Sequence, residues 1–266
     1  LTWAINPRFL SAQGVRDLFL NATIAMLMAA GQSLIIQSEG VDLSVGSILG
    51  CSAFATGFLF ATNPGLPLVV VFIAGIVLGA LLGALNGALV TQAKVPAMVI
   101  TLGTLYVFRG GLNWWAGSTQ YFAGDRPQAF GDLGVATLGG FPLLTLLAIV
   151  VIVIVSLYQR YARSGRDLYA IGSDRAAAAV YGIPVAKRVF TAFVVNGALV
   201  GLGGVLYASR FNSVGATTGA GMELDIVAAC VVGGVAMTGG VGTAYGAAIG
   251  ALLLTTMTSA LTAVGV

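Results

Sequence analysis

Two carboxylates stand three residues apart in the stretch SEGVDLSVGS, where Glu39 and Asp42 are surrounded by glycine and serine. Such a pair could act in acid–base catalysis, hold a proton or cation, or mark a structural break. The chain has no histidine, and no second polar cluster supports acid–base chemistry. Because Asp and Ser cap helix starts, we interpret Asp42 and Ser44 as the break and cap of a helix 43–62, with Gly40 and Gly46 permitting the turn.

The most basic stretch of the chain is YQRYARSGRDLYAIGSDRAAAAVYGIPVAKR at residues 158–188, with six arginines and lysines against two aspartates. Within it, Ser173 or Asp174 is placed to cap a short alanine-rich helix, Arg175–Tyr181, which Gly182 would end. A short rigid helix between two glycines suits a lever that fits into a groove of another protein. The alternative is an amphipathic loop in solvent, and the residues alone leave both open.

Further charged residues fall in two polar, glycine-rich segments around positions 116–140 and 209–223. Charged rims of this kind contact water or dock a soluble partner through screened ion pairs. The candidates for docking are Asp125, Arg126, Asp132, Arg210 and Glu223.

The sequence contains no GxxxxGK[ST] phosphate-binding loop, and its two lysines, Lys94 and Lys187, do not follow a glycine as that motif requires. We therefore expect that the chain does not hydrolyse ATP. If ATP drives its function, the ATPase is a separate polypeptide.

Composition defines the elements that must carry these residues. Charged residues make up 8 % of the chain, against roughly 25 % in a soluble domain. Uncharged runs such as Leu43–Ala93 and Ile226–Val266 exceed the roughly 20 residues that cross a bilayer core. The sequence predicts an all-α polytopic membrane protein, and its net charge of +3 does not indicate nucleic acid. Cys51 and Cys230 are interpreted as buried thiols, not a disulfide framework.

Turn residues divide the apolar sequence into eight predicted spans, and the initial LTWAI is interpreted as the tail of an earlier span. The six basic residues at 160–188 place that loop in the cytoplasm. Alternation then places Lys94 inside and residues 116–140 and 209–222 outside. The spans are predicted at residues 18–38, 43–62, 68–92, 97–115, 141–158, 189–208, 223–239 and 243–263.

Glycines at four-residue spacing predict how the spans meet. They recur at positions 75, 79, 83 and 87, and again at 242, 246 and 250. Small residues on one helix face let two backbones approach closely, so we expect tight helix packing; glycines lining a pore are the alternative.

Four stretches together resemble the permease subunit of ribose-type bacterial ABC sugar importers, a group that also carries other pentoses, rhamnose and the autoinducer-2 sugar derivative. They are VDLSVGS at 41–47, LNGALVTQAKVPAMVITLGTLYVFRGG at 85–111, GRDLYAIGSDRAAAAVYGI at 165–183 and GAGMELDIVAACVVGGVAMTGGVGT at 219–243. The resemblance extends over essentially the whole chain. Members of that group often have glycine where Glu39 stands and proline-phenylalanine where Ala97-Met98 stand, so the sugar is not carried over.

The resemblance implies one permease domain over residues 1–266, in a type II importer-like fold of about ten membrane helices of which about eight to nine lie in this sequence. It also implies a multi-pass protein of the bacterial inner membrane, with a second identical or related permease, cytoplasmic ATPase subunits that hold ATP and magnesium, and a periplasmic sugar-binding protein. The loop at 159–188 would contain the helix that couples the permease to the ATPase. That role passes to Ser173, Asp174, Arg175, Ala176, Ala177, Tyr181 and Gly182.

A neutral sugar needs no charged binding site, so weak hydrogen bonds from polar residues on the spans are expected along the translocation path. The candidates are Asn86, Thr101, Thr104 and Asn113. The rival hypothesis is a proton-coupled secondary carrier in which Asp42 or Glu39 titrates.

Overall fold

The computed structural model describes residues 9, 11–93 and 95–264. The predictions made for LTWAI and for Lys94 lie outside these residues. In chain order the helices are α1 (Ala12–Gln37), α2 (Val45–Thr62), α3 (Leu68–Gln92), α4 (Ala97–Ala116), α5 (Gln128–Leu133), α6 (Leu143–Tyr161), α7 (Arg163–Ser173), α8 (Arg175–Val180), α9 (Val185–Arg210), α10 (Met222–Val232) and α11 (Ala244–Val264).

Six of the described helices are long and apolar enough to cross a membrane, namely α1, α2, α3, α6, α9 and α11. Helix α4 has 20 residues, which corresponds to a length of about 30 Å, but it is more polar. The predicted polytopic all-α architecture is confirmed.

The predicted span at residues 223–239 is wrong. Helix α10 has only 11 residues and ends before Gly233, so it is too short to cross a bilayer core. Glycines with positive φ at positions 234, 239, 240 and 242 then form an irregular connection to α11. Residues 214–243 still run between the two ends of the molecule, because Val214 pairs with Tyr121 at one end and Gly240 N donates to Gln37 O at the other. This segment, called the interrupted crossing below, therefore consists of consecutive turns up to residue 221 followed by the short helix α10.

Helix α1 is the centre of the bundle, since 83 % of its most apolar window is buried inside the chain. It runs parallel to α6: Thr23 and Thr145 share a hydrogen bond of 2.7 Å near one end, and Gln159 donates to Ser33 at 3.1 Å towards the other. Helices α3, α6 and α11 lie at the periphery and are 22–33 % buried over the same kind of window. Their outer faces are apolar, as lipid contact requires.

The glycine spacing on α3 serves close packing, as predicted. A Cβ added at Gly79 would lie 2.7 Å from the Cα of Gly201 on α9, and one added at Gly83 would lie 3.0 Å from the Cα of Gly197. The second glycine series is only partly helical: Gly246 and Gly250 of α11 pack on α10, but Gly242 has φ 122° and lies in the connection before α11.

The two ends of the molecule differ in structure and charge. One end carries α7, α8 and the six basic residues at positions 160–188, and it is called the basic end below. At the opposite end, β1 (Tyr121–Phe122) pairs with β4 (Ser213–Val214), and β2 (Thr137–Leu138) pairs with β3 (Phe141–Pro142). A 3-10 helix, Ala123–Asp125, and α5 complete this opposite end.

Candidate functional site

Asp42 is the centre of a buried polar cluster that joins α2, α3 and α9. Its carboxylate accepts hydrogen bonds from the backbone N–H of Ser44 at 2.9 Å and the Ser44 hydroxyl at 2.7 Å. Asn196 of α9 donates to it at 3.1 Å and Asn86 of α3 at 3.4 Å. All four residues are 0 % exposed. A carboxylate surrounded by donors ties three elements together at a depth where an unpaired acid would be costly.

The predicted cap differs from the observed one. Helix α2 begins at Val45, and Asp42 binds Ser44 instead of the N–H groups of the first helical turn; Ser44 makes no side-chain cap bond either. Asp42 instead makes tertiary contacts with Asn86 and Asn196, which local sequence does not reveal.

The turn after α1 is made by Glu39, not by Gly40. Glu39 has φ 64°, and Gly40 N donates to Ile35 O at 3.0 Å, which is the pattern of a Schellman helix end. Gly46 also has a different role from the one predicted. It lies inside α2, where an added Cβ would meet the carbonyl oxygen of Gly219.

Three of the four predicted path residues are enclosed by the chain itself, which corrects their assignment as path-lining groups. Asn86 and Thr101 are 0 % exposed and Thr104 is 6 % exposed. Asn86 donates to Ser44 at 2.7 Å, and Thr101 donates to Val41 O at 2.9 Å and accepts from Leu43 N at 3.1 Å. Their hydrogen bonds hold the 38–44 break in place. Asn113 is exposed on α4 and remains a predicted path residue.

Arg109 on α4 supports the turn segment of the interrupted crossing. Its guanidinium donates to the carbonyl oxygens of Ala216 at 2.9 Å and Thr218 at 2.7 Å. Non-helical backbone at membrane depth needs such partners, because no water satisfies its polar groups there. The side chains of Thr217 and Asp225 next to this support are exposed on the surface of the chain. An exposed acid at this depth indicates a face covered by protein or by a polar path, not by lipid.

The predicted short helix at the basic end is present as α8. The Asp174 carboxylate accepts a hydrogen bond from Ala177 N at 2.9 Å and so forms the cap, and Gly182 ends the turn with φ 77°. Ser173, Arg175 and Ala176 are exposed and Ala177 is half-buried. Val180 is 85 % exposed and Tyr181 is 86 % exposed. The helix thus presents an apolar tip that no other described part of the chain covers.

Helix α7, which the sequence did not predict, fixes α8 to the rest of the molecule through a polar junction. Tyr169 Oη donates to Gly242 O at 2.8 Å, and burial raises the pKa of this hydroxyl, so it stays protonated at neutral pH. Gln37 Nε2 donates to Tyr169 Oη at 3.2 Å and to Gly242 O at 3.0 Å. Gln159 of α6 donates to Gln37 Oε1 at 3.0 Å and accepts from Ala244 N at 2.8 Å.

Glycine contacts make the same junction rigid. A Cβ added at Gly172 of α7 would lie 2.9 Å from the carbonyl carbon of Gln37 and closer still to Gly240 N. One added at Gly239 would lie 2.8 Å from the Cα of Gly172. The ion pair between Arg188 and Asp167, at 2.7 Å, joins α7 to the start of α9. Through these contacts α7 links α8 to the ends of α1 and α9 and to the 233–243 connection.

The predicted docking residues separate into three groups. Asp125 and Asp132 are exposed at the opposite end and remain candidates for docking. Arg126 and Arg210 are half-buried: Arg126 donates to Phe211 O at 3.0 Å, and Arg210 lies 6.0 Å from the Phe211 ring centre. Glu223 is a correction, since it lies on the first turn of α10 beside Gly46 of α2 and not on the rim.

Sequence analysis missed Arg109, Asn196, Gln37, Gln159 and Tyr169. A signal existed for the first two, because a polar or charged residue inside an apolar run is a candidate functional residue by default. The two glutamines and the tyrosine gave no local signal, since their partners come from distant parts of the chain.

Comparisons with known proteins agree with the membrane architecture. Residues 15–266 match the model of a family described as branched-chain amino acid transport system / permease component. The autoinducer 2 import system permease protein LsrC of Enterobacter sp. (strain 638) is 37 % identical over 252 residues, covering 95 % of this chain and 72 % of the relative. Its namesake in Klebsiella pneumoniae subsp. pneumoniae is 36 % identical over 257 residues, covering 95 % and 72 %. The one in Escherichia coli is 34 % identical over 257 residues, covering 97 % and 74 %. No solved structure gives a significant match.

Proposed function

We propose that the chain, which belongs to the family described as branched-chain amino acid transport system / permease component, is the permease of a ribose-type ABC importer. The similarity to autoinducer 2 import permeases supports a neutral sugar-like solute that moves into the bacterial cytoplasm. Permeases of this kind are not enzymes, so the chemistry of ATP belongs to a partner subunit. Autoinducer 2 is the first solute to test, because the relatives that cover 95–97 % of the chain carry that solute in their names. Ribose, other pentoses and rhamnose are the alternatives.

We infer that the path runs along the exposed flank of α4 and the interrupted crossing. Asn113, Thr217 and Asp225 offer polar groups on exposed surface there, and Arg109 holds the intervening carbonyl groups in place. A surface of this composition is unsuited to lipid. The facing wall would come from a second, identical or related permease, and weak polar contacts would allow release of the solute.

The coupling step is proposed to begin at α8. A cytoplasmic ATPase subunit, which holds ATP and magnesium, would receive the exposed tip formed by Val180 and Tyr181. Its movement would pass through α7 to the polar junction around Gln37 and Tyr169, and from there to the 233–243 connection. Because that connection directly follows α10, the interrupted crossing would shift and change which side the path faces.

A binding protein that holds the solute is proposed to dock at the opposite end, where Asp125 and Asp132 are exposed. Charged groups on such a rim set approach and orientation more than affinity. This arrangement places the basic end in the cytoplasm, in agreement with its six basic residues.

The observation that carries the proposal is the combination of near full-length similarity to named import permeases with an exposed, capped lever helix at the basic end. The test is uptake into proteoliposomes that contain the full-length permease with its ATPase and binding protein. We expect ATP-dependent uptake of autoinducer 2 that exceeds uptake of ribose and rhamnose. Uptake by the permease alone, abolished by an uncoupler, would instead establish the proton-coupled carrier.

A further inference from the structure

An open groove of about 440 Å³ lies at the basic end between α6, α7 and α11. Its polar wall is formed by Arg160, Arg166 and the two tyrosines Tyr169 and Tyr245, and Leu157 forms part of its apolar wall. The groove is distinct from the exposed tip of α8 and from the flank of α4. Nothing in the proposed transport cycle requires it.

The positive charge in this groove is not neutralised within the chain. Arg160 comes from the last turn of α6 and Arg166 from α7, and both are exposed. Neither forms an ion pair with a carboxylate among the residues that the structure describes. The neighbouring Asp167 is engaged by Arg188 at 2.7 Å. Two guanidinium groups that converge on one groove suit a phosphate group.

Apolar surface continues from the groove toward the middle of the spans. On α6, Leu157 is 50 % exposed and Ile154 is 59 % exposed. On α11, Ile249 is 60 % exposed and Leu253 is 49 % exposed, one and two turns beyond Tyr245. These side chains lie on the outer faces of two peripheral spans. A ligand that fills both regions has an anionic head and two apolar tails.

We propose that this groove binds the headgroup of an anionic phospholipid, with the phosphate between Arg160 and Arg166 and the acyl chains along α6 and α11. The tyrosines suit the same level, since their amphipathic rings are favoured where headgroups meet hydrocarbon. Each arginine near an anionic lipid surface contributes roughly fivefold to affinity, so the pair contributes roughly 25-fold.

The direct test is native mass spectrometry of the full-length permease with phosphatidylglycerol, using phosphatidylcholine as the neutral comparison. Wild-type protein is expected to retain phosphatidylglycerol, and the double variant Arg160→Gln/Arg166→Gln is expected to lose roughly 25-fold in affinity. The matched control is Arg163→Gln/Lys187→Gln, which removes the same two charges from exposed positions on α7 and α9 outside the groove. It is expected to bind as wild type does.

Three results would overturn the proposal. One is equal retention of phosphatidylglycerol by the double variant and by the control. Another is displacement of the lipid by inorganic phosphate alone, which would identify a site for a soluble anion. The third is labelling of wild-type protein by photoactivatable phosphatidylglycerol only on helices other than α6, α7 and α11. This measurement does not depend on how the variants fold.

A consequence for transport rests on the proposed function. Tyr169 and Gln159 contribute both to this groove and to the polar junction. Bound lipid is therefore expected to increase the ATP-driven uptake rate in phosphatidylglycerol membranes over phosphatidylcholine membranes. Because lipid binding is measured on the permease alone, the binding result stands or fails separately from the transport result.

Discussion

At the residue scale, Arg109 shows how a charge is accommodated within a span. A guanidinium in an otherwise apolar helix is costly unless its donors are used. Here its donors satisfy two carbonyl groups of backbone that has left helical geometry. Arg109 and the turn segment thus satisfy each other's polar groups, which would be costly to bury alone. This pairing explains how one crossing is built without a continuous helix.

Replacing Arg109 with Leu is expected to destabilise the permease by about 2–4 kcal/mol, because two carbonyl groups lose their partner. The stability of Arg109→Lys should lie between that of the wild type and that of the leucine variant, since an ammonium group reaches fewer acceptors. Thermal unfolding of the full-length protein in detergent measures both. Arg163→Gln serves as the control for loss of one positive charge. A leucine variant as stable as that control would show that the carbonyl groups find other partners.

What the sequence could predict at this scale was local. Asp174 and Gly182 were identified correctly as cap and terminator because caps depend on a few neighbouring residues. For Asp42 the predicted cap is wrong, because the carboxylate binds Ser44 and the asparagines, and its partner Asn196 lies 154 residues away. Glu39 in a left-handed turn could not be anticipated, because glycine at position 40 satisfies the usual pattern.

At the element scale, the contact between α3 and α9 is the clearest case of packing by backbone approach. Gly79 and Gly83 of α3 lie against the backbone of Gly201 and Gly197 of α9 with no side chain between them. Gly75 and Gly87 meet the side chains of Val205 and Phe190 instead. Because lipid supplies no hydrophobic drive between helices, this fit must hold them together.

Gly79→Ala is therefore expected to lower stability by about 1–3 kcal/mol through overpacking. The control is Gly103→Ala on α4, where an added Cβ meets no other group within 4 Å. That substitution should leave stability unchanged or slightly raised, since alanine favours helix. Unfolding temperatures of the two variants in the same detergent make the comparison. Equal destabilisation by both would contradict the packing account.

Gly172→Ala tests whether the polar junction transmits motion. An added methyl group would separate α7 from Gln37 and Gly240, so uptake per ATP hydrolysed is expected to fall several-fold while ATPase association persists. The rates of uptake and of ATP hydrolysis are both measured in the reconstituted complex. Gly124→Ala is the control, because its Cβ would occupy open space at the opposite end. Parallel loss of uptake and ATPase activity, with an unchanged ratio, would assign Gly172 a folding role only.

The boundaries of the elements followed from the sequence wherever a span was a continuous apolar run between turns. The exception was α10. Its apolar run continues past Val232, and hydrophobicity alone predicted a span to residue 239. The glycines at 233, 234, 239 and 240 were the available signal, but glycine is also common inside membrane helices. Only the tertiary contacts of residues 214–221 distinguish the two cases.

At the scale of the whole molecule, the fold is a central α1 enclosed by helices whose two ends have different tasks. The opposite end is covered by short paired strands, and the basic end carries α7 and α8. The overall class followed from composition, because so few charges cannot cover a soluble surface. The arrangement around the proposed path did not follow from composition. A single chain exposes polar surface on α4 and α10 that a second subunit would cover.

The central claim is that a separate ATPase acts on the tip of α8, and site-specific photocrosslinking in the assembled importer tests it most directly. A photoreactive side chain at Tyr181, which is 86 % exposed, is expected to crosslink to the ATPase subunit. Trp114 is 88 % exposed on the part of α4 that lies towards the opposite end of the molecule. The same photoreactive group at Trp114 is not expected to crosslink to the ATPase subunit. Crosslinks from position 181 to the solute-binding protein, or from position 114 to the ATPase, would contradict the account.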